Sequence, residues 1–86
     1  MSNDEVSIKI NRLKWHSRRS MLEVDLYLDK FIQNGELEKL SLTELAYYEE
    51  VLELEDSDLL LLFQGKGCLK DLKKQSIINK VVAVMT

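Results

Sequence analysis

Ser41-Leu42-Thr43-Glu44-Leu45-Ala46-Tyr47-Tyr48-Glu49-Glu50-Val51-Leu52 carries two independent marks of an α-helix. Its first four residues have the S-x-x-E form of a capping box, in which the serine hydroxyl accepts a backbone amide and the glutamate reaches back to the serine's own amide. Leu42, Leu45, Tyr48, Val51 and Leu52 then recur three or four residues apart and line one side. Glu44 in the first turn also suits the positive end of the helix dipole.

The same grammar extends upstream. Ser20-Met21-Leu22-Glu23 repeats the S-x-x-E form, so Ser20 is expected to cap a second helix with Glu23 reaching back. In that helix Leu22, Leu26, Leu28, Phe31 and Ile32 recur at helical spacing as far as Asn34-Gly35, a good stop signal. Before it, residues 4–17 form a first helix with Val6, Ile10 and Leu13 apolar and Trp15 at the margin. The break falls at residues 18–20.

Downstream, Asp56 or Ser57 is placed to cap a short helix carrying Leu59 to Phe63, whose five consecutive apolar residues leave no wet face and predict the most buried helix. It stops at Gly65-Lys66-Gly67. A last helix over residues 69–84 turns Leu69, Leu72, Ile78, Val81, Val82 and Met85 inward and Lys70, Lys73, Lys74 and Lys80 outward. The β-branched run at residues 81–84 leaves an extended terminus as an alternative to that helix's end. The expected fold is all-α, a compact five-helix bundle in a single domain over residues 1–86 with neighbouring helices mostly antiparallel.

Composition agrees with that class and removes others. Eighty-six residues build one core, and 45% hydrophobic with 31% charged residues is the ordinary globular range. There is no proline and only three glycines, so little interrupts long helices. The longest apolar run, residues 59–63, is far short of the ~20 residues that cross a bilayer, and the opening Met1-Ser2-Asn3-Asp4-Glu5 is acidic, unlike a secretory signal. A cytoplasmic location without membrane insertion is expected. The single cysteine, Cys68, cannot pair within the chain and reads as a semi-buried small residue.

Enzyme chemistry finds no foothold. His16 and Cys68 lie too far apart for any zinc spacing, and Gly65-Lys66-Gly67 lacks both phosphate-loop patterns. Ser17 follows His16, but helix neighbours point about 100° apart and no third group is indicated. Charge is uneven: Lys9, Arg12, Lys14, Arg18 and Arg19 stand without an acid among them, while residues 49–58 hold six acids and no base. Helical spacing spreads the five cations over more than one face. A solvated face is therefore the simplest account of them, with a protein-binding patch near Trp15 next. The net charge of −3 speaks against a nucleic-acid binder.

The most specific element is Arg18-Arg19-Ser20-Met21-Leu22-Glu23-Val24-Asp25. Here the chain resembles the SdhE/CptB family of bacterial proteins, known in mitochondria as succinate dehydrogenase assembly factor 2, which carry an R-G-x-x-E motif soon after the first helix. The motif reads Arg19-Ser20-Met21-Leu22-Glu23 in this sequence, preceded by Arg18 and followed by Asp25. The likeness continues through Phe31, through Leu40-Ser41 with Glu44, through Leu52, Asp56, Asp58 and Leu59 as an L-x-x-x-D-x-D-L segment, and to Gly67, covering about residues 11–67. Two departures stand out. Ser20 replaces the motif glycine, and a leucine within residues 59–63 replaces the tryptophan common in the family's fourth helix.

The resemblance implies a helical assembly factor, not an enzyme. It would bind the flavoprotein subunit of succinate dehydrogenase, or of fumarate reductase, and promote covalent attachment of FAD to a histidine of that subunit. FAD would be attached on the client and not held stably by the factor. Arg18, Arg19, Ser20, Glu23, Asp25 and Asp58 would form the partner-binding surface, with Arg19 and Glu23 one helical turn apart on an exposed face. Without the family, the same pair reads as an i, i+4 ion pair beside a helix cap. Two alternatives remain at this point: the antitoxin half of a toxin–antitoxin pair, which some relatives are held to be, and a small basic nucleic-acid binder.

Overall fold

A computed structural model describes residues 2–85. Six α-helices follow one another in it: α1 Ser2–His16, α2 Leu22–Gln33, α3 Glu36–Lys39, α4 Leu42–Leu52, α5 Asp56–Phe63 and α6 Leu72–Met85. Among the described residues there is no strand, and no helix is long and apolar enough to cross a membrane.

The capping box at Ser41 forms as its sequence requires. Ser41 Oγ accepts the Glu44 amide at 3.1 Å and Glu44 Oε1 accepts the Ser41 amide at 3.0 Å. The carboxylate of Glu44 is held below its ordinary pKa by that backbone hydrogen bond and by Lys80 nearby. From this start α4 buries Leu45, Tyr48, Val51 and Leu52.

The core is where α6 packs against α2 and α4, with α5 closing the end of α2. Two stacked aromatic pairs tie α2 to its neighbours: Phe31 on Tyr48 of α4 at 5.7 Å and Tyr27 on Phe63 of α5 at 4.9 Å. Leu28, Leu59, Ile77 and Val81 are equally removed from water. Each such side chain contributes about 1.5–3 kcal/mol on burial. α1 lies at the periphery, resting mainly on α4 through Ile10 and Leu13.

Several sequence expectations need correction. There are six helices among the described residues, not five: α3 is a single turn entered through Gly35 at φ 73° and held by the fully buried Leu37. One turn contains no period to read. α6 begins at Leu72 and not near residue 69, because Asp71 Oδ1 accepts the Lys73 amide at 2.9 Å and starts the helix there. Helix phase then turns Leu72 and Met85 outward and Ile77 and Ile78 inward. The run at residues 81–84 is helical, so the extended alternative falls.

α5 does have a wet face. Leu61 is half exposed, while Leu59, Leu62 and Phe63 are buried. Its stop signal works as a Schellman closure: Gly65 takes φ 74°, its amide reaches Leu62 O at 3.2 Å, and the Lys66 amide reaches Leu61 O at 2.9 Å. In α2 the phase is set by Val24, Leu28 and Phe31, which leaves Leu22 and Leu26 on the surface. Cys68 is exposed, not semi-buried.

Candidate functional site

The chain between α1 and α2 has no regular structure, so its amides need partners from elsewhere. α1 closes with the Ser17 amide on Leu13 O at 2.9 Å and the Arg18 amide on Trp15 O at 3.2 Å. Beyond that point the carboxylates of Asp25 and Asp56 take over. Asp25 Oδ1 accepts the Arg19 amide at 2.9 Å, and Asp56 Oδ2, from the start of α5, accepts the Met21 amide at 3.3 Å. Met21 is the N-cap residue of α2 and offers no side-chain cap.

The expected cap at Ser20 is therefore absent. Ser20 is exposed, and Glu23 does not reach back to it. Asp25 supplies the reach-back instead, from one residue beyond the usual N3 position. The caps expected for α5 fail in a parallel way. Glu55 is its N-cap residue without a side-chain bond, and Asp56 is committed to the α1–α2 junction.

Arg19 crosses the gap between these helices. Its Nη1 lies 3.6 Å from Asp56 Oδ1, its Nη2 donates to Leu52 O, and its side chain is 18% exposed. Leu52 is the last residue of α4 and Asp56 the first of α5, so the guanidinium sits between the negative end of one helix and an acid favoured at the start of the next. Its Nε is buried without a hydrogen-bond partner among the described residues. The expectation that Arg19 and Glu23 share an exposed face is thereby corrected. Arg19 is turned inward onto Asp56, and no ion pair joins it to Glu23, which is exposed in the first turn of α2.

Beneath the junction Ser17 Oγ donates to Leu13 O at 2.7 Å and so accepts the Tyr48 hydroxyl at 2.6 Å. Burial pushes the Tyr48 phenol up to about 12, against the smaller opposing effect of the Arg19 charge. An open cleft of about 290 Å³, lined by His16, Arg19, Glu49, Leu52 and Glu53, runs along the outer side.

Of the six residues singled out from sequence, three meet directly. Arg18 Nε is 3.7 Å from the Asp25 oxygen that holds the Arg19 amide, with 72% of the Arg18 side chain still exposed. Ser20 and Glu23 flank this group on the surface, and Asp58 is exposed in the first turn of α5 without a partner among the described residues. Asp56 was not among the six, yet it is the acid that Arg19 meets. Helix phase was the available signal: Asp56 lies on the same side of α5 as the buried Leu59 and Phe63, at i+3 and i+7. The motif glycine's replacement causes no backbone strain here, since no residue other than glycine takes a positive φ among the described residues.

The family described as flavinator of succinate dehydrogenase matches residues 11–85. The FAD assembly factor SdhE of Vibrio vulnificus strain CMCP6 is 36% identical over 72 residues, covering 84% of this chain and 83% of its own. SdhE of Pseudomonas aeruginosa is 34% identical over 79 residues, covering 92% and 90%, and that of Aliivibrio fischeri 34% over 71 residues, covering 83% and 81%. No solved structure matches the chain. With the match running from α1 through α6, the protein belongs to the family of succinate dehydrogenase flavinators, the FAD assembly factors.

Proposed function

We propose that this protein acts in the cytoplasm as an assembly factor, binding the flavoprotein subunit of succinate dehydrogenase and promoting covalent attachment of FAD to it. The flavoprotein of fumarate reductase, built for the same cofactor, is a second client of the same surface. Membership of the family and relatives that are assembly factors by name support this reading over an antitoxin role. FAD stays with the client throughout. The factor's contribution is to favour one client conformation by binding it better than the others, so that flavin and acceptor side chain are held in reacting geometry.

The observation that carries the site is the clasp of Arg19 on Leu52 O and Asp56, with Asp25 holding the Arg19 amide. It divides the motif into two jobs. Arg19, Asp25 and Asp56 are positioning residues that fix the α1–α2 junction against α4 and α5. Arg18, Ser20, Glu23 and Asp58 are the side chains left to meet the client. Ser20, where the family has glycine, changes how closely a partner backbone approaches and not the local φ.

In-gel flavin fluorescence of the flavoprotein, in cells lacking the native gene and carrying each variant, tests the assignment. Glu23→Ala should lower covalent flavin several-fold while stability stays within ~0.5 kcal/mol of the parent. Arg19→Ala should lower both, because the carboxylate and carbonyl it served are left half-buried at a cost of about 1.5–3 kcal/mol. Full flavinylation with Arg18→Ala and Glu23→Ala combined would make the junction purely structural.

A further inference from the structure

The outer side of a surface helix is normally polar, and that of α2 is not. At about 100° per residue, Leu22, Leu26, Asp29 and Gln33 run down the middle of the side opposite the buried Val24, Leu28 and Phe31, and Glu23 and Lys30 lie along one edge of it. Leu22 is 68% exposed and Leu26, one turn on, 51% exposed. Met85, at the end of α6, adds a third exposed apolar side chain beside the C-terminal half of α2.

The relief and the charge of this face repeat about one point, midway between residues 26 and 27. Leu22 projects on the N-terminal side of that point. On the C-terminal side lies an open hollow of about 540 Å³, lined by Leu26, Asp29, Lys30, Gln33, Asn34 and Met85. Glu23 and Lys30 stand equally far from the same point, and neither has an ion-pair partner among the described residues. A surface patterned in this way is complementary to itself. When two α2 helices pack antiparallel about a two-fold axis through that point, Leu22 of each copy enters the hollow of the other and Leu26 meets Leu26. Glu23 of each then lies beside Lys30 of the other along the shared edge. On the opposite edge Asp29 comes level with Asp25, whose ion pair with Arg18 supplies the cation.

From this symmetry we infer that the outer face of α2 binds a second copy of this chain, and that the dimer withholds Glu23 from the client. The withholding rests on the proposed function, in which Glu23 meets the flavoprotein. A second copy is favoured as occupant because knob and hollow, acid and base, are equally spaced about one point, which an unrelated partner does not require. A helix face three turns long buries less than the ~1,600 Å² of a standard interface, so the pair is weak and exchanges readily. Concentrated free factor is held in pairs, and the client draws single chains from them by mass action.

Sedimentation equilibrium of the purified protein should give a mass that rises with concentration from one chain toward two. Leu26→Arg should stay monomeric with the circular dichroism of the parent. Glu23→Lys and Lys30→Glu should each weaken association at least tenfold, and an equimolar mixture of the two should restore it, since the mixed pair carries opposite charges at both contacts. Adding purified, unflavinylated flavoprotein subunit should part the dimer into one-to-one complexes, and Leu26→Arg should bind that subunit at least as tightly as the parent. A mass fixed at one chain up to ~1 mM would sink the inference, as would a dimer that Leu26→Arg and the charge changes leave intact. Loss of subunit binding in a folded, monomeric Leu26→Arg would give the face to the client and overturn it too. A subunit that binds the intact dimer would overturn the withholding of Glu23. If the parent forms the dimer but binds no flavoprotein, the proposed function and the withholding fall together while the dimer stands.

Discussion

At the scale of single residues, the protein is organised around polar side chains whose partners come from other helices. Arg19 is the clearest case, an arginine from an irregular segment whose charge is answered by the end of α4 and the start of α5. Tyr48 is another. Its hydroxyl is buried on Ser17, and its folded pKa of about 12 lies above the ordinary tyrosine value of about 10. A raised folded pKa means that the protonated phenol is favoured in the fold. Its stabilisation is complete below about pH 10 and is lost as pH climbs from about 10 to about 12, amounting to about 2–3 kcal/mol. Urea unfolding as a function of pH should therefore show an alkaline loss that Tyr48→Phe largely removes. Near neutral pH the same substitution should cost about 1 kcal/mol for the missing hydrogen bond. An unchanged alkaline loss in Tyr48→Phe would assign it to other groups.

At the scale of elements, two stretches with the same S-x-x-E spelling behave differently. Ser41 and Glu44 form the capping box, whereas Ser20 and Glu23 do not, although both pairs precede a real helix. The difference is competition. Around Ser20 the acids Asp25 and Asp56 already satisfy the Arg19 and Met21 amides, and α2 begins two residues after the serine instead of one. Ser41→Ala should accordingly destabilise by about 1 kcal/mol. Ser20→Ala or Ser20→Gly should stay within ~0.5 kcal/mol of the parent. Thermal melts by circular dichroism distinguish the two, and equal losses at both serines would restore Ser20 as a cap.

At the scale of the whole molecule, the described chain measures 41 × 26 × 23 Å, with α1 on the outside and α6 against the other long helices. A single cluster of buried side chains draws on every helix. The chain should therefore lose its fold as a unit when that cluster is charged. Leu62→Asp, in a side chain 8% exposed, should leave little helix at 25 °C, whereas Leu61→Asp, one position back and 47% exposed, should fold. Comparable melting of both variants would mean that α5 is rotated from the phase described.

The sequence alone determined the helices wherever a local signal acts through local chemistry. Ser41 with Glu44 spells a cap that the backbone completes within four residues, and Gly35 and Gly65 stop helices because glycine reaches positive φ without strain. Periodicity likewise placed Leu45, Tyr48 and Val81 in the core. The family likeness, too, was legible in the order and spacing of residues 11–67, without any coordinate. Tertiary structure alone decided the rest. Phase errors of a residue or two in α2 and α6 sent Leu26 and Leu72 to the surface and brought Val24 and Ile77 inward, since a helix turns by what it packs against. It also chose Asp56 for Arg19. On paper Glu23, four residues away at helical spacing, was the partner offered to Arg19, while no local spacing points to Asp56 thirty-seven residues away. Only the meeting of α4, α5 and the α1–α2 junction put one carboxylate beside the guanidinium and left the other in water.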